Sequence, residues 1–225
     1  MVCFLWIVLI IVFLVLTFKY YFGTTRWCKS TVKLNGKTAL ITGGNIGIGK
    51  ATAIDLANRG ARVIIASRNK EKAIQTIREI YEKTGNDNIS FMYLDLMDLE
   101  VVRQFAKQFL KEEKRLDILI NNSGTHVTAN SVHPGLVATD IIMTPLKSVL
   151  PEKLYLVFDP WFRFFSLDCT AGAQTTIFAA VDESLTTVTG KYFGHCRLAW
   201  DNKLAQDDEA CQQLWDYSMK MCGLT

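Results

Sequence analysis

Residues 38–49 read TALITGGNIGIG, an apolar run that passes directly into a turn holding four glycines. Thr38 to Thr42 has the length and composition of a buried strand. Gly43, Gly44, Asn45, Ile46, Gly47, Ile48 and Gly49 form the turn, which opens a helix over 50–59 that Gly60 closes. Residues 62–67, RVIIAS, supply a second strand, so the unit is strand, helix, strand. Glycines in this context let the main chain turn sharply and approach a pyrophosphate, and the free N–H groups of the helix start face its negative charge. The pattern is informative because it follows a strand and opens a helix.

The alternation continues beyond this unit. Residues 69–83 predict a helix, 89–95 (ISFMYLD) a strand, 99–113 an amphipathic helix and 116–122 (LDILINN) another strand. Such a sequence of elements predicts an α/β fold, a doubly wound parallel sheet of Rossmann-like type. The end of the second strand discriminates between nicotinamide cofactors. An acidic residue there would grip a ribose 2′-hydroxyl and repel a 2′-phosphate, whereas Ser67 and Arg68 stand here and favour NADP(H). The bland alternative is a solvated charge at a strand end.

The whole chain of 225 residues, 49% hydrophobic and 21% charged, is long enough for one substantial core. Its net charge of +3 is spread over mixed acidic and basic residues without a basic block, which argues against a nucleic-acid partner. Cysteines 3, 28, 169, 196, 211 and 222 show no metal-ligand or redox-pair spacing, and His126, His133 and His195 are scattered, so no metal is expected.

The N-terminus has a different composition. Val2 to Phe18 carries no charge, and its length corresponds to roughly 25 Å of helix, near the roughly 27 Å of a thin endoplasmic-reticulum bilayer. Lys19, Arg26, Lys29 and Lys33 follow it and no basic residue precedes it, which places the bulk of the chain in the cytosol. A cleaved signal peptide would want a basic leading region and a small-residue cleavage site, and neither is present. The expected organisation is a membrane anchor over 1–19, a linker over 20–36 and an NADP-binding domain over 37–225. The aromatic run Trp161 to Phe165 reads as core or as a membrane-facing lip.

These residues resemble the short-chain dehydrogenase/reductase family, in its membrane-anchored retinol dehydrogenase branch. Thr42-Gly43 with Gly47-Ile48-Gly49 matches TGxxxGIG, Asp95-Leu96 matches the acidic turn on the adenine side, and Asn121-Asn122-Ser123-Gly124 matches NNAG. Val132-His133-Pro134-Gly135 with Thr139 resembles the loop beside nicotinamide, and Gly190-Lys191-Tyr192-Phe193 a stretch near the family's C-terminus. Ile46 stands where the branch usually has a polar Ser, and Ser123 replaces the usual Ala. The resemblance implies NADP(H)-linked interconversion of retinol or another lipophilic alcohol with its aldehyde.

One departure is large. In the family NNAG closes the fourth strand, and two helices and a strand carrying a catalytic Ser and a YxxxK pair come before the PG loop. Here only a few residues intervene, at about 125–127, where ordinary element lengths would require on the order of 50 or more. No tyrosine in the chain has Lys four positions later. The general acid and base of the family mechanism are therefore absent, and no residue here is assigned a catalytic role. The chain is expected to bind cofactor with little or no turnover. The alternative reading is a non-catalytic NADP-binding decoy, or a regulator that associates with a full-length relative.

The gap also constrains the fold. Parallel neighbours need a crossover of a dozen or more residues, so the strand expected over 127–132 must pair antiparallel to the fourth strand, take another place or stay loose. An incomplete sheet with a bared apolar surface follows.

Overall fold

The computed structural model describes residues 2–120, 129–200 and 203–224. The first half is the predicted alternation: β1 (Thr38–Thr42), α2 (Gly47–Asn58), β2 (Arg62–Ser67), α3 (Lys70–Thr84), β3 (Ile89–Tyr93), α4 (Leu99–Glu112) and β4 (Ile118–Ile120), all preceded by α1 (Val2–Phe22). The four strands form one parallel sheet in the order β3-β2-β1-β4. β1 and β2 are apolar on both faces and buried almost throughout, as central strands covered by helices on two sides must be.

Local sequence explains the helix limits. Asn69 Oδ1 accepts the Lys72 N–H at 2.8 Å to start α3, and Gly85, in a left-handed conformation, ends it. Asp98 accepts from Glu100 and Val101 N–H at the start of α4. α2 is bounded from Gly47, inside the turn, although Gly47 itself still has a positive φ of 57°. β3 ends at Tyr93 rather than Asp95, where the chain leaves the ladder and Met97 N–H donates to the Asp95 carboxylate at 3.0 Å.

One sheet face packs Leu56, Ala57 and Ala53 of α2 and Ile80 and Ala73 of α3 over Ile41, Val63 and Ile65. The other packs Phe105 and Phe109 of α4 over Leu40, Ile64, Ala66 and Met92. The layers are completed by α7 (Cys169–Val181), whose Ala173, Ile177 and Val181 join the first core beside α2. α5 (Asp140–Val149) and α6 (Glu152–Phe165) precede it, and α8 (Asp208–Met221) closes the chain.

The strand after the gap takes another place. β5 (Ser131–His133) pairs parallel with β6 (Tyr192–Gly194), which pairs antiparallel with β7 (Arg197–Leu198), forming a second sheet. The intervening α5, α6 and α7 provide the long crossover that a parallel pair needs and that the short connection from β4 lacks. Among the described residues β4 therefore ends the large sheet, and Leu119, on the face covered farther along by α4, is 38% exposed.

The segment expected as a linker is docked over its second part. Cys28 N–H donates to Gln174 Oε1 at 3.1 Å, Ser30 Oγ to the Val181 carbonyl at 3.2 Å, and Leu34 is buried in the core. Arg59 fastens the same strap through the carbonyls of Ser30 and Val32. The helix expected over the anchor extends to Phe22. Several of its side chains lie outside the described set, and among the described residues no helix is long and apolar enough to cross a membrane.

Candidate cofactor site

Three connections gather at the C-terminal end of the parallel sheet, the place where open α/β sheets bind ligands. The glycine turn lies against β2 through the Gly43 N–H, which donates to the Ala66 carbonyl at 2.8 Å. The Leu94 N–H donates to the Ser67 carbonyl at 3.2 Å and brings the Asp95-Leu96 turn to the same edge. Ser67 is buried and Arg68, the next residue, is exposed. Asp95 is half-buried and Leu96 exposed.

The turn itself permits no side chain at its closest approach. A Cβ on Gly49 would lie 2.5 Å from the Gly43 carbonyl oxygen, and Gly43 and Gly47 both have positive φ, at 63° and 57°. The start of α2 carries no side-chain cap, since Ile46, 42% exposed, has no group to accept from it. Its first N–H groups are thus left to an anionic ligand or to water. Asn45 is buried, and its carbonyl accepts a hydrogen bond from Thr76 Oγ1 at 2.9 Å, which ties the turn to α3.

The second wall arrives from beyond the gap. Pro134 and Gly135 follow β5, and Thr139 precedes α5. The Thr139 methyl lies 3.7 Å from where a Gly47 Cβ would stand, so two predicted site residues far apart in sequence meet. The loop is held by Leu167, whose N–H donates to the Leu136 carbonyl at 2.7 Å and whose carbonyl accepts from Ala138 N–H at 3.1 Å. Leu167 Cδ1 would also crowd any side chain at Gly135, at 2.9 Å, and Gly172 of α7 admits Val137 in the same way. Asn122, Ser123 and Gly124 lie outside the described residues.

Thr76, Leu167 and Gly172 were not singled out by the sequence reading. Gly172, a glycine inside a helix, was the available signal. Tyr192, His133 and His195 line an open cavity of about 500 Å³ with Arg197 and Trp200 on the small sheet. None of the glycine turn contributes to that cavity.

Residues 37–133 match the model of the short chain dehydrogenase family. Mouse retinol dehydrogenase 11 is 30% identical, the match covering 88% of this chain and 90% of that protein. Mouse retinol dehydrogenase 12 and bovine dehydrogenase/reductase SDR family member 13 are each 28% identical, covering 92% and 88% of this chain and 92% and 76% of their own lengths. The fold is shared with L-sorbose reductase from Gluconobacter frateurii, solved with NADPH and L-sorbose, at 19% identity and a TM-score of 0.58 over 73% of this chain and 97% of that one. Glucose dehydrogenase of Caenorhabditis elegans gives a TM-score of 0.53 at 19% identity, over 72% and 97%. The chain belongs to the short-chain dehydrogenase/reductase family and is retinol dehydrogenase-like.

The alignment with mouse retinol dehydrogenase 11 runs over 283 positions, whereas 88% of this 225-residue chain is about 198 residues. About 85 aligned positions of that relative therefore face no residue here.

Proposed function

We propose that the chain binds NADP(H) between the glycine turn and the Pro134-to-Thr139 loop, and that it turns over a retinoid or other lipophilic alcohol or aldehyde weakly or not at all. The carrying observation is that the Thr139 methyl lies 3.7 Å from where a Gly47 Cβ would stand, which supports both walls lying together across the gap. Ser67 and Arg68 at the end of β2 support the 2′-phosphate form of the cofactor. Retinol dehydrogenases among the relatives support the substrate class.

We place the missing block at about 125–127, ahead of the Pro134-Gly135 loop, where the family that the sequence resembles carries its Ser and YxxxK. Cofactor bound here would supply a hydride, but this chain has no tyrosine and lysine spaced to move the matching proton. Its own residues bind and orient the nucleotide through the main chain of 43–49, the Arg68 side chain and the Thr139 loop. α1 anchors the chain in the endoplasmic-reticulum membrane with the domain on the cytosolic side, a reading that rests on the uncharged run Val2 to Phe18 and the basic residues after it.

The test is a titration of the purified full chain in detergent with NADPH and with NADH, followed by a retinal-reduction assay. Saturable binding that favours NADPH, with no turnover above a blank, is the expected result. Absence of binding refutes the cofactor site, and robust retinal reduction refutes the catalytic part. A second reading, association with a full-length relative, is favoured by the exposed Leu119 at the end of the large sheet. Co-purification of the two chains tests it, and failure to co-purify or inhibit counts against it.

A further inference from the structure

α6 wears its amphipathic pattern the wrong way round for a helix on a soluble domain. At 100° per residue, Leu154, Val157, Trp161 and Phe164 fall on one stripe. They are 53%, 61%, 54% and 41% exposed. The opposite side carries Tyr155, Asp159 and Phe162, which are half-buried, followed by Ser166, which is buried. No described residue of α6 is buried. The apolar stripe therefore faces away from the protein, and the side turned inward holds Asp159, which the exposed Arg163 pairs at 2.9 Å.

The C-terminal end of this helix abuts the end of α1. Phe165 meets Phe18 edge to face with ring centroids 5.1 Å apart, and Lys19 Nζ sits 3.6 Å from the centre of the Phe164 ring. Lys19 is the first charge after the uncharged run, so in the anchored chain it marks the level at which α1 reaches the lipid headgroups. The stripe on α6 begins at that level.

We infer that α6 is a second membrane contact: its Leu154–Val157–Trp161–Phe164 stripe lies in the headgroup and acyl boundary beside the point where α1 leaves the bilayer. The inference rests on the anchor reading proposed above. It also gives the cofactor wall a route to lipid, because α5 runs from Thr139, beside Gly47, to Val149, two residues before α6 begins. A lipophilic ligand leaving the bilayer at α6 would meet α5 next.

Tryptophan quenching tests this on the full chain in phosphatidylcholine vesicles containing phosphatidylserine, with and without bromine on the upper acyl carbons. The emission of Trp161 is the difference between the parent and Trp161→Phe, and that of Trp6, in α1, the difference between the parent and Trp6→Phe. Trp161 is expected to lose at least about half its emission to brominated lipid, as a ring seated roughly 5–10 Å into the boundary would. Equal Trp161 emission in both vesicles, with quenching by aqueous iodide like that of Trp200, overturns the inference. Quenching of Trp6 alone leaves the anchor standing and removes the α6 contact. Quenching of neither removes both. Quenching of Trp161 alone supports the surface and removes the span.

Discussion

Replacing Gly49 with alanine should weaken NADPH binding well before it unfolds the protein. The new Cβ would stand 2.5 Å from the Gly43 carbonyl oxygen, 3.0 Å from its carbon and 3.2 Å from Gly44 Cα. All three are main-chain atoms, so no side chain can swing aside. Ordinary contact begins at 3.4 Å, and the turn must open by about 0.9 Å. Overpacking of this kind costs about 1–3 kcal/mol, and if that strain falls on the binding geometry the affinity drops by about 5- to 150-fold. The assay is a fluorescence titration with NADPH, paired with thermal unfolding of the same samples. Gly85→Ala is the control. Gly85 also has positive φ, has nothing within 4 Å of its added Cβ, and sits at the far end of α3. It should lower the unfolding temperature by a similar amount, at about 1 kcal/mol, and leave the affinity untouched. Parent-like NADPH affinity in Gly49→Ala, or an equal loss in Gly85→Ala, would refute the reasoning.

Three further outcomes are expected. Ile177→Ala removes a side chain that is 1% exposed between α7 and the sheet, and should lower stability by about 2–5 kcal/mol, read as a lower urea midpoint at unchanged slope. Burial opposes ionisation of Asp117, but hydrogen bonds from Arg115, the Thr38 N–H and Lys37 outweigh it and hold the carboxyl at about 2 against an ordinary 3.8. Its contribution is therefore complete above about pH 4 and lost as pH falls toward 2. With both basic partners roughly half exposed, that contribution is about 1 kcal/mol, and unfolding curves of Asp117→Asn should lack that part of the acid loss. Burial, with the neighbouring Cys28 thiol, pushes Cys196 up to about 11. Its alkylation at pH 8 should run about a hundredfold slower than that of an ordinary thiol and keep rising beyond pH 9, and a plateau by pH 9 would contradict this.

The sequence was most readable where one short segment carried both a period and its punctuation. β1, β2, α3 and α4 were legible to within about a residue at either end because two short apolar runs alternated with two amphipathic stretches, and the structure shows Asn69, Gly85 and Asp98 setting the helix limits. The tight turn was legible from its glycines, since a Cβ at Gly49 would lie 2.5 Å from the Gly43 carbonyl oxygen. The new partner of β5 was not, because it depends on which strand a long crossover can reach, and Tyr192 lies far along the chain. Nor was the docking of the strap. Gln174 reads as an ordinary polar residue until the Cys28 N–H is seen to need it. Leu167 escaped for a similar reason, as its part is played by main-chain groups that every residue possesses.

The strap has a consequence for the order in which the molecule can be made. Its hydrogen bonds join Cys28 to Gln174 and Ser30 to Val181, separations of 146 and 151 residues. While the chain is still being synthesised, its beginning waits for partners that emerge near the end. The early strands and helices can assemble in the meantime, but the first core, which includes Leu34, Ala173 and Ile177 together, cannot close until α7 has left the ribosome. If α1 is by then already held in lipid, that closure draws the finished domain down against the membrane, so the last folding step also sets the distance at which the domain hangs.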